Sequence, residues 1–212
     1  MKIFIDFDDV LFNTKDFSAY LKKFYTLHEI NQELIKKHYY DPADESLVRL
    51  FNPYGLFERL EELEKIDLKN LREDFEKQLQ DLKRFVFPDV KTFLEKIGKE
   101  NVHIVSFGLL SFQQRKFLGG GLQGLVADFN VTKNLKAEVI AKILTEKKIH
   151  PKEKFVFIDD RIEHIESIKK VFPQVLTIFL SRKEGRYCDE KNEFCDWQVH
   201  DLKEAEKIIS KL

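Results

Sequence analysis

Lys2-Ile3-Phe4-Ile5-Asp6-Phe7-Asp8-Asp9-Val10-Leu11-Phe12 sets the fold class of this chain. Ile3, Phe4 and Ile5 form a short apolar run with β-branched members, the pattern of a strand buried on both faces. The run stops at Asp6, Asp8 and Asp9, three acids within four positions. In an open α/β sheet the strand ends face the crevice where ligands bind, so acids there face a ligand. Like charges this close repel, and such a site needs a cation or a protonated member. If the backbone turns just after the strand, Asp6 and Asp8 reach one reacting centre from different sides, one as nucleophile or metal ligand and one as proton donor. Taken alone, Asp8 and Asp9 read equally as helix caps or turn residues.

Working outward, the next segment is helical. Phe17, Tyr20, Leu21 and Phe24 recur at helical spacing, as do Leu71, Phe75, Leu79 and Leu82. Two further helices are expected at Asn31 to Tyr39 and Asp44 to Leu63, the second interrupted near Asn52-Pro53-Tyr54-Gly55. No convincing strand falls here, so residues 14–84 read as an all-helical insertion into a core made of residues 1–13 and 85–212.

From Phe87-Pro88-Asp89 onward, strands alternate with helices. A helix carrying Val90, Phe93, Leu94 and Ile97 stops at Gly98. A second buried strand, Val102 to Val105, ends in Ser106, followed by Phe107 and Gly108. After a short helix at Ser111 to Leu118 and the Gly119-Gly120-Gly121 turn comes a weaker strand, Leu125 to Val131. Asn134 is the expected cap of a helix burying Leu135, Val139, Ile140, Ile143 and Leu144, with Lys136 in its first turn. Phe155 to Ile158 makes a third apolar strand, ending in Asp159-Asp160. The helix after it buries Ile162, Ile165, Ile168 and Val171. Strands at Val175 to Leu180 and Trp197 to Val199 follow, then a helix opened by Asp201 and Glu204 that buries Leu202, Ala205, Ile208, Ile209 and Leu212. The alternation predicts a doubly wound parallel sheet, an α/β Rossmann-like fold.

Three apolar strands thus end in polar groups: Asp6 with Asp8, Ser106, and Asp159 with Asp160. In a parallel sheet these ends share one edge and converge. With Lys136 at a helix start, this pattern resembles the haloacid dehalogenase superfamily of phosphohydrolases. Its first motif, a hydrophobic strand followed by DxD, stands as Ile5-Asp6-Phe7-Asp8; its second, a strand ending in Ser or Thr, as Val105-Ser106. Its third, a lysine opening a helix, is similar to Leu135-Lys136-Ala137; its fourth, acids ending the next strand, to Ile158-Asp159-Asp160. The helical insertion resembles the family's cap.

The resemblance implies a magnesium-dependent phosphohydrolase acting on a small phosphorylated metabolite, because a cap excludes large substrates. Asp6 would form an aspartyl-phosphate. Asp8 would be protonated, serve the leaving oxygen, and then activate water. Ser106 and Lys136, with the amides of Phe107 and Gly108, would hold the transferring group. Mg2+ would sit among Asp6, the Asp8 main-chain carbonyl, Asp160 and Asp159. His164 stands where many relatives carry a second acid, so Asp159, Asp160 and Glu163 all remain open as ligands. Lys133 competes with Lys136, which is preferred because it begins the helix. A phosphomutase, or a silent binding module on the same fold, are the alternatives; Asp8 argues against dehalogenation.

Composition narrows the function classes. With 36 Lys and Arg against 37 Asp and Glu, no global field draws the chain to nucleic acid or to a membrane. No apolar run spans a bilayer and no signal-peptide pattern opens the chain, so a cytoplasmic protein is expected. Cys188 and Cys195 lie in a polar stretch with no histidine cluster nearby, and read as reduced cysteines rather than a zinc site.

Overall fold

A computed structural model describes residues 1–43, 49–149 and 153–212. The central strand is β1 (Lys2–Ile5), and β2 (Val102–Phe107), β3 (Asp128–Thr132), β4 (Phe155–Asp159), β5 (Leu176–Leu180) and β6 (Trp197–Val199) complete one sheet in the order β3-β2-β1-β4-β5-β6. Every pairing is parallel, and Ile3 lies in register with Val102 on one side and Val156 on the other. This is the doubly wound α/β architecture expected from the sequence.

The side chains of β1 alternate between two cores, as a strand must when both faces are covered. Ile3 and Ile5 join a core shared with α5 (Val90–Ile97) and α9 (Leu202–Ile209), through Val90, Leu94, Leu202 and Ala205. Phe4 joins the opposite core with Ile140 and Ile143 of α7 (Lys136–Glu146) and Ile165 and Ile168 of α8 (Ile162–Val171).

Residues 14–84 contribute α1 (Thr14–Leu27), α2 (Gln32–Lys37), α3 (Pro53–Glu64) and α4 (Lys69–Gln78). Asn13, Asn31 and Asn52 cap the first three of these helices, each accepting from a backbone amide of the first turn. Phe17, Leu21, Phe24, Phe57 and Phe75 pack together, and their core runs without a break into Phe12, Phe85 and Phe112. The Asn52-Pro53 break is a helix start, with proline at a first-turn position where no amide is needed. The first part of the Asp44 to Leu63 helix expected from sequence, residues 44–48, lies outside the described residues.

Other local expectations are corrected. Leu135, not Asn134, is the N-cap of α7, and no side chain caps it. Leu135 is 57%, Val171 53% and Leu212 52% exposed: Leu135 precedes the first residue of α7, Val171 is the last residue of α8, and Leu212 lies beyond the end of α9, so none is held on a buried helix face. Of the three consecutive glycines, Gly119 closes α6 (Leu110–Gly119) against the chain leaving α4, and its carbonyl accepts from the Leu82 amide at 2.8 Å. A Cβ there would stand 2.2 Å from the Leu79 carbonyl oxygen. Gly119→Ala is therefore expected to lower stability by about 1–3 kcal/mol in chemical denaturation, and a variant as stable as the parent would contradict this packing. Among the described residues, no helix is long and apolar enough to cross a membrane.

Candidate active site

The chain turns sharply after β1. The Asp6 amide still bonds to the Ile158 carbonyl at 2.9 Å, extending the sheet by one residue, and then Leu11 and Phe12 both return their amides to the Phe7 carbonyl. Asp9, at φ 56°, takes the left-handed conformation that makes the turn. Aspartate tolerates that region better than most side chains. The turn sends the three carboxylates to three different partners.

Asp8 faces α6 and α1. It accepts from Lys116 Nζ at 2.5 Å, Gln113 Nε2 at 2.7 Å and the Thr14 hydroxyl at 2.5 Å. Burial disfavours its charge, but Lys116 and Arg186 outweigh burial and hold the carboxyl at about 2. The sequence expectation of a protonated Asp8 is thus reversed in this structure, because Lys116, three residues beyond Gln113 on one helix face, supplies a buried counter-charge. Asp9, fully buried, pairs with Arg186 Nε and accepts from the Thr14 amide.

On the sheet side, Lys136 Nζ stands 2.7 Å from both Asp6 and Asp159. His164 Nδ1 lies 3.1 Å from Asp159. Asp6, Asp159 and Asp160 each place a carboxylate oxygen within 4.8 Å of the others. Burial raises the Asp6 carboxyl to about 6 against the pull of Lys136. Asp159 is buried too, but Lys136 and His164 hold it well below the usual carboxylate range. Burial, then the charges of Asp159, Asp6 and Asp9, push Asp160 up to about 9.

This donor set fits a hard divalent cation. Asp160 is 8% exposed and makes no hydrogen bond or ion pair among the described residues, while its neighbours are other acids. Across the whole site five acids (Asp6, Asp8, Asp9, Asp159, Asp160) share three permanent cations (Lys116, Lys136, Arg186), so ionising all five leaves two negative charges unmatched. Oxygen donors at this density suit magnesium.

The expected residues divide accordingly. Asp6, Lys136, Asp159 and Asp160 converge, and the Asp8 side chain stands apart from the acidic cluster. Ser106 is buried at the end of β2 and accepts from Gln113 Nε2 at 3.0 Å. Gly108 was expected to offer its amide to a phosphoryl group; that amide donates instead to the Thr132 carbonyl at 2.9 Å, because β2 and β3 stay paired to their ends. Lys133 is exposed, and Glu163 turns outward to an ion pair with Arg161. Gln113, Lys116 and Arg186 were missed. The first two belong to the polar run Gln113-Gln114-Arg115-Lys116 of α6, which carries no local signal that separates them from solvent-facing residues, and Arg186 lies in a loop with none.

Above Asp8 opens a cavity of about 330 Å³ between the sheet edge and the inserted helices. Asp8, Phe107, Gly108, Gln113, Lys116 and Arg186 line its floor, and side chains of α1 and α2 its walls.

No protein-family model matches the sequence and no curated protein matches it. Solved structures match over nearly the whole chain. A protein assigned provisionally as a haloacid dehalogenase-like hydrolase from Burkholderia xenovorans LB400 aligns with a TM-score of 0.74 at 20% identity, over 99% of this chain and 96% of that one. The L-2-haloacid dehalogenase of Xanthobacter autotrophicus, with chloropropionic acid covalently bound, aligns with a TM-score of 0.64 at 12% identity, over 100% and 98%. YfnB from Bacillus subtilis, provisionally a hydrolase of the same kind and bound to magnesium, aligns with a TM-score of 0.63 at 12% identity, over 99% and 98%.

Proposed function

We propose, on the premise that this chain has the haloacid dehalogenase-like fold, that it is a magnesium-dependent phosphohydrolase cleaving small phosphomonoesters through an aspartyl-phosphate. Residues 14–84 act as the cap over a core of residues 1–13 and 85–212. The observation that carries the reading is the division of labour around Asp6: a buried carboxylate held by Lys136 beside Asp159 and Asp160, with a second carboxylate, Asp8, at the floor of an adjoining cavity.

An Asp6 oxygen attacks phosphorus as the bond to the leaving oxygen breaks. Asp8 gives that oxygen a proton and takes one back from the water that splits the acyl phosphate, which returns Asp6 and releases inorganic phosphate. Asp8 rests ionised, so it must gain a proton when substrate enters. The substrate dianion raises its proton affinity directly, and draws Lys116 away from it. Lys136 holds Asp6 in place and offsets charge on the transferring group. Magnesium, held by Asp6 and Asp160 with Asp159 beside them, would supply the positive charge that keeps these acids ionised and neutralises the phosphoryl oxygens. Release of phosphate from 4-nitrophenyl phosphate, present with Mg2+ and abolished by chelator, tests the reading; an inert protein under every divalent metal overturns it.

The same cation governs stability. An aspartate titrates near 3.9 in an unfolded chain, whereas Asp160 stands at about 9 in the folded, metal-free protein. Its protonated form therefore favours folding: that contribution is complete below about pH 4 and is lost as pH rises through about 9. In chelator the melting temperature is expected to fall between about pH 5 and pH 9. Excess Mg2+ flattens the fall by holding the carboxylate ionised. A metal-free protein that grows more stable over this window contradicts the assignment.

One observation favours a second reading, hydrolytic dehalogenation with Asp6 attacking carbon. Asp8 is held ionised by Lys116, and a departing halide needs no proton. Chloride release from 2-chloropropionate without phosphate release would select it.

A further inference from the structure

We propose that the cavity over Asp8 takes phosphomonoesters whose alcohol part carries a second anionic group, and that Arg186 receives that group. The proposal rests on the phosphohydrolase reading for the phosphate end of the molecule, and on Arg186 and the cavity lining for the other end.

Arg186 comes from the loop between β5 and β6, away from the strand ends that supply the acidic cluster. Its Nε donates to Asp9, whose carboxylate is fully buried and also accepts from the Thr14 amide. The Tyr187 ring lies 5.1 Å from its Cζ. A guanidinium carries several donors in a rigid fork, and stacking on a ring leaves their edge free. Among the described residues only Nε of this fork is hydrogen-bonded, while the side chain is 35% exposed and lines the cavity. Both Nη groups are thus unspent, on an arginine that a buried acid already holds. A cation positioned in advance loses little freedom when its ligand arrives.

The place of Arg186 decides which part of the ester it meets. After Lys116 it is the charge that does most to hold the Asp8 carboxyl at about 2, so the guanidinium lies on the Asp8 side of the cavity floor. Asp8 serves the leaving oxygen, while Lys136 and the acidic cluster take the phosphoryl side. An anion on the leaving alcohol, a few bonds from phosphorus, is what that position meets.

The rest of the lining agrees in sign. Among the described residues Asp8 is the only acid that lines the cavity, against Lys22, Lys36, Lys116 and Arg186. Lys116 and Arg186 are matched by Asp8 and Asp9, whereas the Lys22 and Lys36 ammonium groups make no hydrogen bond or ion pair among the described residues. These two, exposed at the mouth, attract any anionic ester and speed its entry. Ser18, Gln32 and Tyr39 also line the cavity and can meet hydroxyls, so charge rather than hydroxyl count separates one ester from another.

The test is calorimetric binding to the Asp6→Asn protein in excess Mg2+, where no ester is consumed, with phosphate release by the parent protein measured separately. The probes share a three-carbon body: glycerol 3-phosphate, 3-phosphoglycerate with its carboxylate, and propane-1,3-diyl bisphosphate with its second phosphate. At least one of the two doubly anionic esters is expected to bind about tenfold or more tighter than glycerol 3-phosphate, and which one does so identifies the anion. Arg186→Gln should bring that ratio to within about threefold of unity. Because this change strips a buried aspartate of its partner, the double variant Asp9→Asn with Arg186→Gln, which removes both charges, is measured beside it and should lose the ratio too. Lys22→Gln with Lys36→Gln should retain the ratio. Equal binding of the three esters, or a ratio that survives the loss of Arg186, overturns the proposal. The expected ratio without phosphate release from any ester supports the role of Arg186 and rejects the phosphohydrolase reading. Release without the ratio does the reverse, and neither binding nor release rejects both.

Discussion

Asp6→Asn is expected to abolish phosphate release, lowering turnover by about four orders of magnitude or more, while the protein remains folded. The magnitude is that of removing a covalent nucleophile whose partners act as a unit with it. The fold should survive because burial already raises the Asp6 carboxyl to about 6, so the site tolerates a neutral group of the same shape. Lys136 keeps its contact with Asp159 at 2.7 Å. Magnesium affinity should fall as well, since one of three clustered carboxylates is gone. Turnover within tenfold of the parent, measured on a preparation free of it, would remove Asp6 from the chemistry. The same variant also serves the dehalogenation reading, which assigns Asp6 the same first step.

Lys136→Met should destabilise the metal-free protein by about 3–5 kcal/mol, the usual cost of stripping one partner from a buried ion pair. For a chain of this length that is a fall of roughly 6–20 °C in melting temperature. The lysine is the only cation hydrogen-bonded to both Asp6 and Asp159 among the described residues, and methionine replaces its length without its charge. Added Mg2+ should restore part of the loss, because a cation among the acids substitutes for the missing ammonium. Lys133→Met is the control: that side chain is exposed and its loss should shift the melting temperature by little. If the two variants behave alike, Lys136 does not hold the acidic cluster together.

The parts of the site legible in the sequence are those fixed by strand ends. A buried strand shows as an unbroken apolar run, so Ile3 to Ile5, Val102 to Val105 and Phe155 to Ile158 were visible, and with them the residues where each run stops. Parallel pairing then brings those stops to one edge without knowledge of any side-chain contact. Asn134 failed as a cap because propensity alone does not decide where a helix begins; the chain leaving β3 bends one residue later, at Leu135. The exposure of Val171 and Leu212 has the same origin, in helix ends that periodicity cannot locate.

The residues around Asp8 were not legible, for a different reason. Gln113 and Lys116 are ordinary surface types on a helix, and nothing local distinguishes a lysine in solvent from one buried against an aspartate 108 positions away. Arg186 reaches Asp9 across 177 positions from a loop. The sequence alone determined the parallel sheet and the convergence of Asp6, Asp159, Asp160 and Lys136, because backbone periodicity and sheet direction are local or topological properties; the order of the strands in the sheet came from the structure. Tertiary structure alone decided the charge state of Asp8, the partner of Asp9 and the lining of the cavity. Those depend on which distant side chains share a low-dielectric space, and the strength of a charge is set by that company.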